Sequence, residues 1–307
     1  MFFNFLTKFY SLVPSMIYPN KKNPIPEKIT IRKPLSQITE QVPIHWLDGN
    51  IVKTHVVNAL SIIFKNEEEY FIKIVRKFIP KLKNTKLKKE IISFIGQEQQ
   101  HCEFHSDFCN KLKDQGFDFQ FLSFYIKNFV YGSMEAFLSD ELNLAIASGL
   151  EHYNKSTAEL SLREKVFSNS DVILKELFEW HLAEELEHSN VVFDLLREID
   201  SNYLLRMQGF LIASLVRNLT LTLATTNLIV QDDLRQFLRI WKEGKDFFFT
   251  KDQILYKFFL FIVDYAKPDF HPSQHNMTDI ISEIFKNRNF EIFFSKKPAN
   301  QTEQTVN

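Results

Sequence analysis

The chain has 307 residues, 45% of them apolar, which is enough for one large or two modest domains with a buried core. A net charge of −1 gives no general field to attract nucleic acid, and seven glycines without a GxGxxG or P-loop motif argue against a nucleotide-binding fold. Cys102 and Cys109 are two helical turns, roughly 10 Å, apart on one predicted helix, too far for a disulfide, which favours a cytoplasmic compartment.

The first 48 residues are rich in proline and predict an irregular arm packed over a helical body. The start, from Met1, lacks the basic residues and cleavage site of a signal peptide, so we interpret it as a surface or membrane-touching segment. Residues 49–200 are predicted to form a four-helix bundle, with a shorter helical piece near 155–168. Its long helices are predicted at about 50–78, 84–115, 119–148 and 171–199.

Helix-breaking residues set three of these predicted ends. Pro80 stops the first helix, Gly116 ends the second and Gly149 ends the third. Asn84 is a plausible N-cap for the second helix because its side chain can accept from exposed backbone N–H groups.

Residues 201–290 predict additional helices packed on the bundle, at about 202–230, 231–246, 251–266 and 276–287. Met207 to Val230 is mostly apolar, but Arg217 interrupts it, which favours a buried amphipathic helix over a membrane span; peripheral membrane contact is the alternative. A lid, a homodimer surface and a membrane contact all stay open as roles for this region. Residues 291–307 are predicted to be a disordered tail, because the chain is polar from Lys296 on.

Two segments repeat one small device, Glu98-Gln-Gln-His101 and Glu185-Leu-Glu-His188. A glutamate and a histidine three positions apart lie on one face of a helix, so both side chains can reach one metal ion. A single copy of this spacing is weak evidence, because chance alone would produce about one. Two copies on two long helices predict a metal centre.

Two lone glutamates, Glu68 and Glu135, lie on the first and third predicted helices. With the two Glu-x-x-His segments they give the order of ligands that a ferritin-like bundle uses to hold two metals. Glu67 stays open as an alternative to Glu68. Gly132, one turn before Glu135, would leave room for a neighbouring helix or a substrate.

Two more histidines lie near these segments. His181 precedes Glu185 by four positions and His188 by seven, so all three can converge on one side of the helix. His105 is either a further ligand or an outer hydrogen-bond donor. Carboxylate and imidazole ligands suit iron or manganese, with zinc as a further alternative. The predicted cofactor is therefore a pair of metal ions, with iron as the first choice.

Several stretches resemble a bacterial family described as predicted metal-dependent hydrolases. They include Val42-Pro-Ile-His45-Trp46-Leu-Asp-Gly-Asn50, Phe94-Ile-Gly-Gln-Glu98-Gln-Gln-His101, and Trp180-His181-Leu-Ala-Glu184-Glu185-Leu-Glu-His188. The resemblance covers nearly all of the chain after residue 28. Before Glu68 the family tends to show Phe-Pro-x-Gly-Glu, where this chain has Phe64-Lys-Asn-Glu-Glu68.

The metal-site pattern is also similar to that of di-iron arylamine N-oxygenases, which are ferritin-like. Their sequence of Glu, Glu-x-x-His, Glu and His-x-x-x-Glu-x-x-His implies a ligand set here of Glu68, Glu98, His101, Glu135, His181, Glu185 and His188. This likeness concerns the metal site alone and implies nothing about the substrate.

From these patterns we expect an all-α, ferritin-like helical bundle with additional C-terminal helices. The first functional hypothesis is a di-iron enzyme, an oxidoreductase that activates O₂ to oxidise a small organic substrate. The second is a hydrolase that uses a metal-bridged water, since two metals can lower the pKa of a water and bind a developing oxyanion. A third, non-enzymatic hypothesis is iron or oxidant handling.

Overall fold

The computed structural model describes residues 29–38, 41–275, 277–286 and 288–293, and it is all-α apart from one two-stranded sheet. The predicted membrane-touching start, most of the arm, and residues 294–307 of the tail lie outside the described residues. The α-helices are α1 Ile51–Phe78, α2 Thr85–Asp114, α3 Gln120–Tyr125, α4 Gly132–Phe137, α5 Asp140–Arg163, α6 Val172–Glu187, α7 Val191–Ile199, α8 Tyr203–Gln231, α9 Phe237–Lys245, α10 Ile254–Tyr265 and α11 Thr278–Lys286.

The first two predicted helices are confirmed, and so is the predicted N-cap Asn84. The Asn50 side chain accepts from the backbone N–H of Lys53 at the start of α1, and the Asn84 side chain accepts from two N–H groups at the start of α2. Gly116 follows α2 in the left-handed region, with φ of 95°. The two helices pack against each other over much of their length.

The third predicted helix, residues 119–148, is wrong. The chain instead forms α3, a π-helical segment Ile126–Tyr131, and α4, and it then breaks after Phe137 before α5 begins. Asn143 stabilises the break, because its side-chain N–H₂ group donates to the backbone oxygens of Met134, Leu138 and Ser139 at 3.0–3.1 Å. The Ser139 hydroxyl then caps α5 by accepting from Leu142 N–H.

α5 runs through Gly149 to Arg163, so Gly149 does not end a helix and residues 155–168 do not form a separate one. The glycine serves close packing instead. A Cβ atom at Gly149 would lie 2.9 Å from the Cβ of Ala213 on α8, and one at Gly209 would lie 2.4 Å from the backbone of Ala145. These glycines let the backbones of α5 and α8 approach, because any larger side chain would collide.

The fourth predicted helix, 171–199, is divided in the structure. α6 begins after the N-cap Asp171, whose side chain accepts from two backbone N–H groups, and it ends at Glu187. A short turn at His188–Asn190 then leads into α7. The turn places His188 just past the end of α6, where it still faces the bundle and is fully buried.

α8 packs along α5 and α1 through one face and leaves the other exposed. Leu211, Leu215 and Leu219 lie on the outer face, and each is at least half exposed. Among the described residues α8 is the helix that is long and apolar enough to cross a membrane, and 33% of its apolar stretch is buried. Core helices of soluble proteins can be equally long and apolar. α8 is therefore amphipathic, as predicted, but it is buried on one side alone.

The predicted arm and tail meet in the small sheet. β1 (Ile31–Pro34) pairs antiparallel with β2 (Phe290–Phe293), so that Ile31 lies opposite Phe293. The predicted tail is therefore wrong at residues 291–293, which are ordered in a strand. The pairing places β1 against α2, at one side of the buried core.

Candidate metal centre

Four segments of the bundle bring carboxylates and imidazoles together in its interior. α1 supplies Glu68, α2 supplies Glu98 and His101, and α5 supplies Glu151. α6 and the residue after it supply His181, Glu185 and His188. We call these seven residues the metal cluster. None of them is more than 4% exposed, so the cluster has almost no contact with solvent.

The metal cluster divides into two groups of ligand atoms. Glu68, His101, His181 and Glu185 each offer one atom within 4.8 Å of the others, and Glu98, Glu151 and His188 do the same. In the first group His181 Nε2 lies 3.0 Å from Glu185 Oε1 and 3.4 Å from Glu68 Oε1. Each group can therefore surround one metal ion.

Glu185 lies between the two groups. Its Oε1 faces His181 and His101, with His101 Nδ1 at 3.6 Å, while its Oε2 lies 3.3 Å from His188 Nε2. Glu98 also reaches both, because its Oε1 is 3.7 Å from His101 Nδ1 and 3.2 Å from His188 Nε2. This geometry suits two bridging carboxylates between neighbouring ions.

Two of the histidines contact a polar partner through the ring nitrogen that points away from the cluster. His101 Nε2 lies 3.1 Å from Glu184 Oε2, and His188 Nδ1 lies 3.1 Å from Gln97 Oε1. These contacts leave His101 Nδ1 and His188 Nε2 directed at the carboxylates. Such outer hydrogen bonds fix the tautomer and the ring orientation of metal-binding histidines.

The outer partners are themselves fixed by Arg32 in β1. Its guanidinium donates to Glu184 at 3.1 Å and to both oxygens of Glu187 at 2.8 and 3.0 Å. Gln97 donates to Glu187 Oε2 at 2.7 Å, which leaves the Gln97 oxygen free to accept from His188. The small sheet thus holds the outer side of the cluster.

Most of the unmet hydrogen-bonding capacity of the cluster lies in its carboxylates, and His101 Nδ1 and His181 Nδ1 are also buried without a partner among the described residues. Both oxygens of Glu68, Glu98 and Glu151 are buried without a hydrogen-bond partner among the described residues. Four ionised carboxylates in a solvent-free interior would be very costly, because each has lost its hydration. Two divalent cations would neutralise four such charges. The donor set therefore fits a metal pair.

The pKa values of the carboxylates follow from this crowding. Burial, and then the neighbouring charge of Glu98, raises the pKa of Glu68 well above its ordinary value. Burial and the charge of Glu185 raise the pKa of Glu151 in the same way. Burial opposes ionisation of Glu185 too, but the imidazoles of His188 and His181 hold the pKa of that carboxyl well below its usual range.

The structure does not bring Glu135 into the cluster. It lies on α4, half-buried, with its carboxylate 3.2 Å from the ammonium of Lys73. The break between α4 and α5 turns Glu135 away from the cluster. The fourth carboxylate of the cluster is Glu151 on α5, which sequence reasoning missed. Glu151 could have been found by predicting that the helix continues through Gly149, because Glu151 then lies among Leu150, Tyr153 and other buried residues.

The alternatives left open in the sequence also have defined positions. Glu67 is satisfied by partners outside the two groups: it accepts from the Tyr131 hydroxyl at 2.7 Å and is paired with Arg217. His105 lies beside the first group, with Nε2 3.4 Å from Glu68 Oε1. Burial, followed by the charge of Glu68, raises the pKa of the Cys102 thiol, so this residue stays a neutral thiol and offers no thiolate.

A third group of ligand-type side chains lies near the end of α8. His45 Nε2 and His55 Nε2 are 2.6 and 2.8 Å from the same oxygen, Oδ2 of Asp232, while Oδ1 accepts from the backbone N–H of Asp233. We call His45, His55 and Asp232 the histidine clamp. Burial opposes ionisation of Asp232, but hydrogen bonds from the two histidines lower the pKa of its carboxyl to about 2.

The chain belongs to the family of predicted metal-dependent hydrolases, whose family model matches residues 30–276. The match spans the whole metal cluster and the histidine clamp. No curated protein and no solved structure matches the chain. The family description agrees with the second functional hypothesis drawn from the sequence and supports a metal-dependent activity in general.

Proposed function

We propose that the metal cluster holds two metal ions and is the reaction centre of this protein. One ion would take Glu68, His101, His181 and Glu185, and the other would take Glu98, Glu151 and His188. The observation that carries this proposal is the set of buried carboxylate oxygens without hydrogen-bond partners, at the point where three imidazoles converge. Buried carboxylates without partners are costly, and metal coordination supplies the missing partner.

The donor set favours iron or manganese. Its ligands are carboxylates and imidazoles, which suit iron, manganese and zinc, and no thiolate is present that would select a structural zinc ion. Iron is our first choice.

We further propose that the reaction is an O₂-dependent oxidation of a small organic substrate. The support is the closed surrounding of the site. The rings of Phe64, Phe94 and Trp180 pack on His181, His188 and His101, with centroids 4.9–5.7 Å apart. When bound, a pair of iron ions would supply the electrons that reduce O₂. The aromatic wall would keep bulk water out, and Glu184 and Gln97 would hold the imidazoles in position.

Hydrolysis is the second candidate function, because the family description names it. A two-metal site can bind both the attacking and the leaving oxygen of a hydrolytic reaction. The same seven ligands would serve. The two candidate functions differ in their need for O₂, which oxidation requires and hydrolysis does not. They also differ in whether a polar substrate must reach the buried ions.

The test is metal analysis followed by reaction with O₂. Protein purified aerobically is expected to contain close to two iron ions per chain, and after anaerobic reduction it is expected to consume O₂ with a change in its near-ultraviolet absorption. The Glu135→Ala variant serves as a control that should behave like the parent. Zinc or manganese as the bound metal, with O₂-independent cleavage of model esters, would replace the oxidation proposal with hydrolysis. Absence of bound metal after supplementation would overturn both.

A further inference from the structure

A cavity of about 320 Å³ lies between α1, α5, α8 and the segment that contains α10. Most of its wall is apolar, formed by residues such as Val56, Leu60, Leu221, Phe247, Phe258 and Ile262. Two other lining residues, Leu255 and Phe259, are 49% and 46% exposed, so the cavity reaches the surface through an apolar rim. Its volume is within the range of roughly 300–1,000 Å³ typical of small-molecule sites.

Two charged side chains line this cavity, Lys53 and Arg217. Lys53 lies near the surface and pairs with Asp252 at 2.8 Å, whereas Arg217 lies inside the protein. Arg217 lies in the middle of α8 and is 3% exposed. Its Nη2 donates to Glu67 and, at 2.7 Å, to the side-chain oxygen of Asn154. Its Nε and Nη1 have no acceptor among the described residues, and neither does the hydroxyl of Tyr153, a second lining residue.

Buried donors without acceptors are unusual, because each has lost its hydrogen bonds to water without replacement. An acceptor oxygen on a bound molecule would satisfy them. Glu67 already balances the charge of Arg217, so a neutral carbonyl oxygen could serve as well as a carboxylate. The rest of the cavity offers mainly apolar contacts, since its other polar lining residues are Lys53, Thr157, Ser161 and Asn218.

The donor end of the cavity lies close to the metal cluster. Glu67, the partner of Arg217, directly precedes Glu68 in α1. The Arg217 guanidinium lies 5.0 Å from the centroid of the Phe64 ring, and the same ring is 5.7 Å from that of His181. Phe64 therefore contacts both a donor of the cavity and a histidine of the metal cluster.

We propose that this cavity is the substrate pocket and that it takes a molecule with a hydrocarbon chain and one acceptor oxygen at its end. The acceptor, a carboxylate or an ester or ketone carbonyl, binds Arg217 and Tyr153, and the chain lies among the apolar residues of α1, α8 and α10. That this molecule is the substrate rests on the proposed function of the metal cluster. That the cavity binds such a molecule does not depend on it.

The experiment measures binding to the metal-free full chain by titration calorimetry, with octanoic acid, its methyl ester and octyl acetate as probes. We expect octanoate or its ester to bind, and the stronger of the two identifies the head group. Arg217→Lys keeps a positive charge beside Glu67 but removes the Nε donor, and it is expected to weaken that binding about tenfold or more. Equal affinity in Arg217→Lys and the parent would contradict the role of Arg217.

A matched pair of variants on α8 locates the binding. Leu221→Trp fills the cavity and is expected to abolish binding, whereas Leu223→Trp, on a side chain that is 43% exposed, should leave it unchanged. Both should keep the metal content of the parent, which shows that they fold. Binding that survives Leu221→Trp, or no binding of any probe, overturns the pocket. A chain that binds octanoate but no metal would instead overturn the proposed function alone.

Discussion

The metal cluster and the histidine clamp are built from the same kinds of side chain, yet they differ in how their polar atoms are satisfied. In the clamp both oxygens of Asp232 accept hydrogen bonds, two from histidines and one from Asp233 N–H, and His55 Nδ1 is the one side-chain atom of the clamp that is buried without a partner among the described residues. In the cluster, three carboxylates have no partner for either oxygen.

The difference indicates what each group needs. One carboxylate between two imidazoles forms a closed set of hydrogen bonds, which ties the segment before α1 to the end of α8 without any ion. Four carboxylates among three imidazoles have too few protons to satisfy them all. We therefore expect metal in the cluster and none in the clamp. Ligand-type residues within reach of one another are not sufficient evidence for a metal site.

The largest expected effect follows from removing a ligand of the cluster. Glu151→Ala should lower bound metal from about two ions per chain to one or none, because the second group would retain just Glu98 and His188. Glu185→Ala and His101→Ala should also lose metal. Metal content is read by elemental analysis of the purified variants.

Glu135→Ala and Glu69→Ala are the matched controls for that loss. Both carboxylates are half-buried outside the cluster, where Glu135 pairs with Lys73 and Glu69 pairs with Lys127. Each variant should keep the metal content of the parent. Loss of metal in Glu135→Ala with retention in Glu151→Ala would restore the ligand set drawn from the sequence.

A smaller effect is expected from the residues behind the histidines. Gln97→Ala removes the acceptor of His188, and Glu184→Gln weakens the acceptor of His101. Removing such outer partners typically lowers metal affinity by about 10–100-fold. Competition with a chelator at graded concentrations measures this shift. Affinity unchanged in both variants would mean that the imidazoles are held by packing alone.

The stability of the metal-free protein sharpens the comparison further. Glu151→Gln removes a buried carboxyl whose pKa is raised by burial, so it should raise the free energy of unfolding of the metal-free chain, by about 1–4 kcal/mol. In metal-loaded protein the same change should lower the melting temperature, because an ion is lost. Thermal unfolding with and without chelator gives both values. The same sign in both states would argue against a metal-requiring cluster.

The smallest effect is expected in the clamp. Asp232→Asn should keep both metal ions and lower the free energy of unfolding by about 1–3 kcal/mol, because one buried imidazole loses its acceptor. The pKa of Asp232 is depressed to about 2 from an ordinary 3.8, so its contribution is full above about pH 4 and is lost as the pH falls towards 2. Denaturant unfolding at several pH values tests this. A difference between parent and variant that grows below pH 4 would contradict the assignment.

The sequence predicted the parts of the site that depend on local spacing. Glu98 with His101, and His181 with Glu185, share a helical face whatever the rest of the chain does, and the structure brings them together. The first two helices were predicted equally well, because Pro80, Asn84 and Gly116 are local signals for where a helix begins or ends.

Glu151 could not be predicted in this way, because its position depends on contacts distant in sequence. The break before α5 is held by Asn143, whose side-chain and backbone oxygens also accept from the Tyr70 hydroxyl on α1 at 2.9 and 3.1 Å. Gly149 was interpreted as a helix end because its role, the close approach of α8, requires the tertiary structure. Arg32, in a strand outside the bundle, gave no spacing signal at all.

Anomalous X-ray diffraction from crystals of the metal-loaded protein tests the central claim most directly. We expect two peaks a few Å apart, each beside one group of the metal cluster and with Glu185 between them. No peak should appear beside Asp232. A single ion at the histidine clamp, with the carboxylates of Glu68, Glu98 and Glu151 free of metal, would contradict the account.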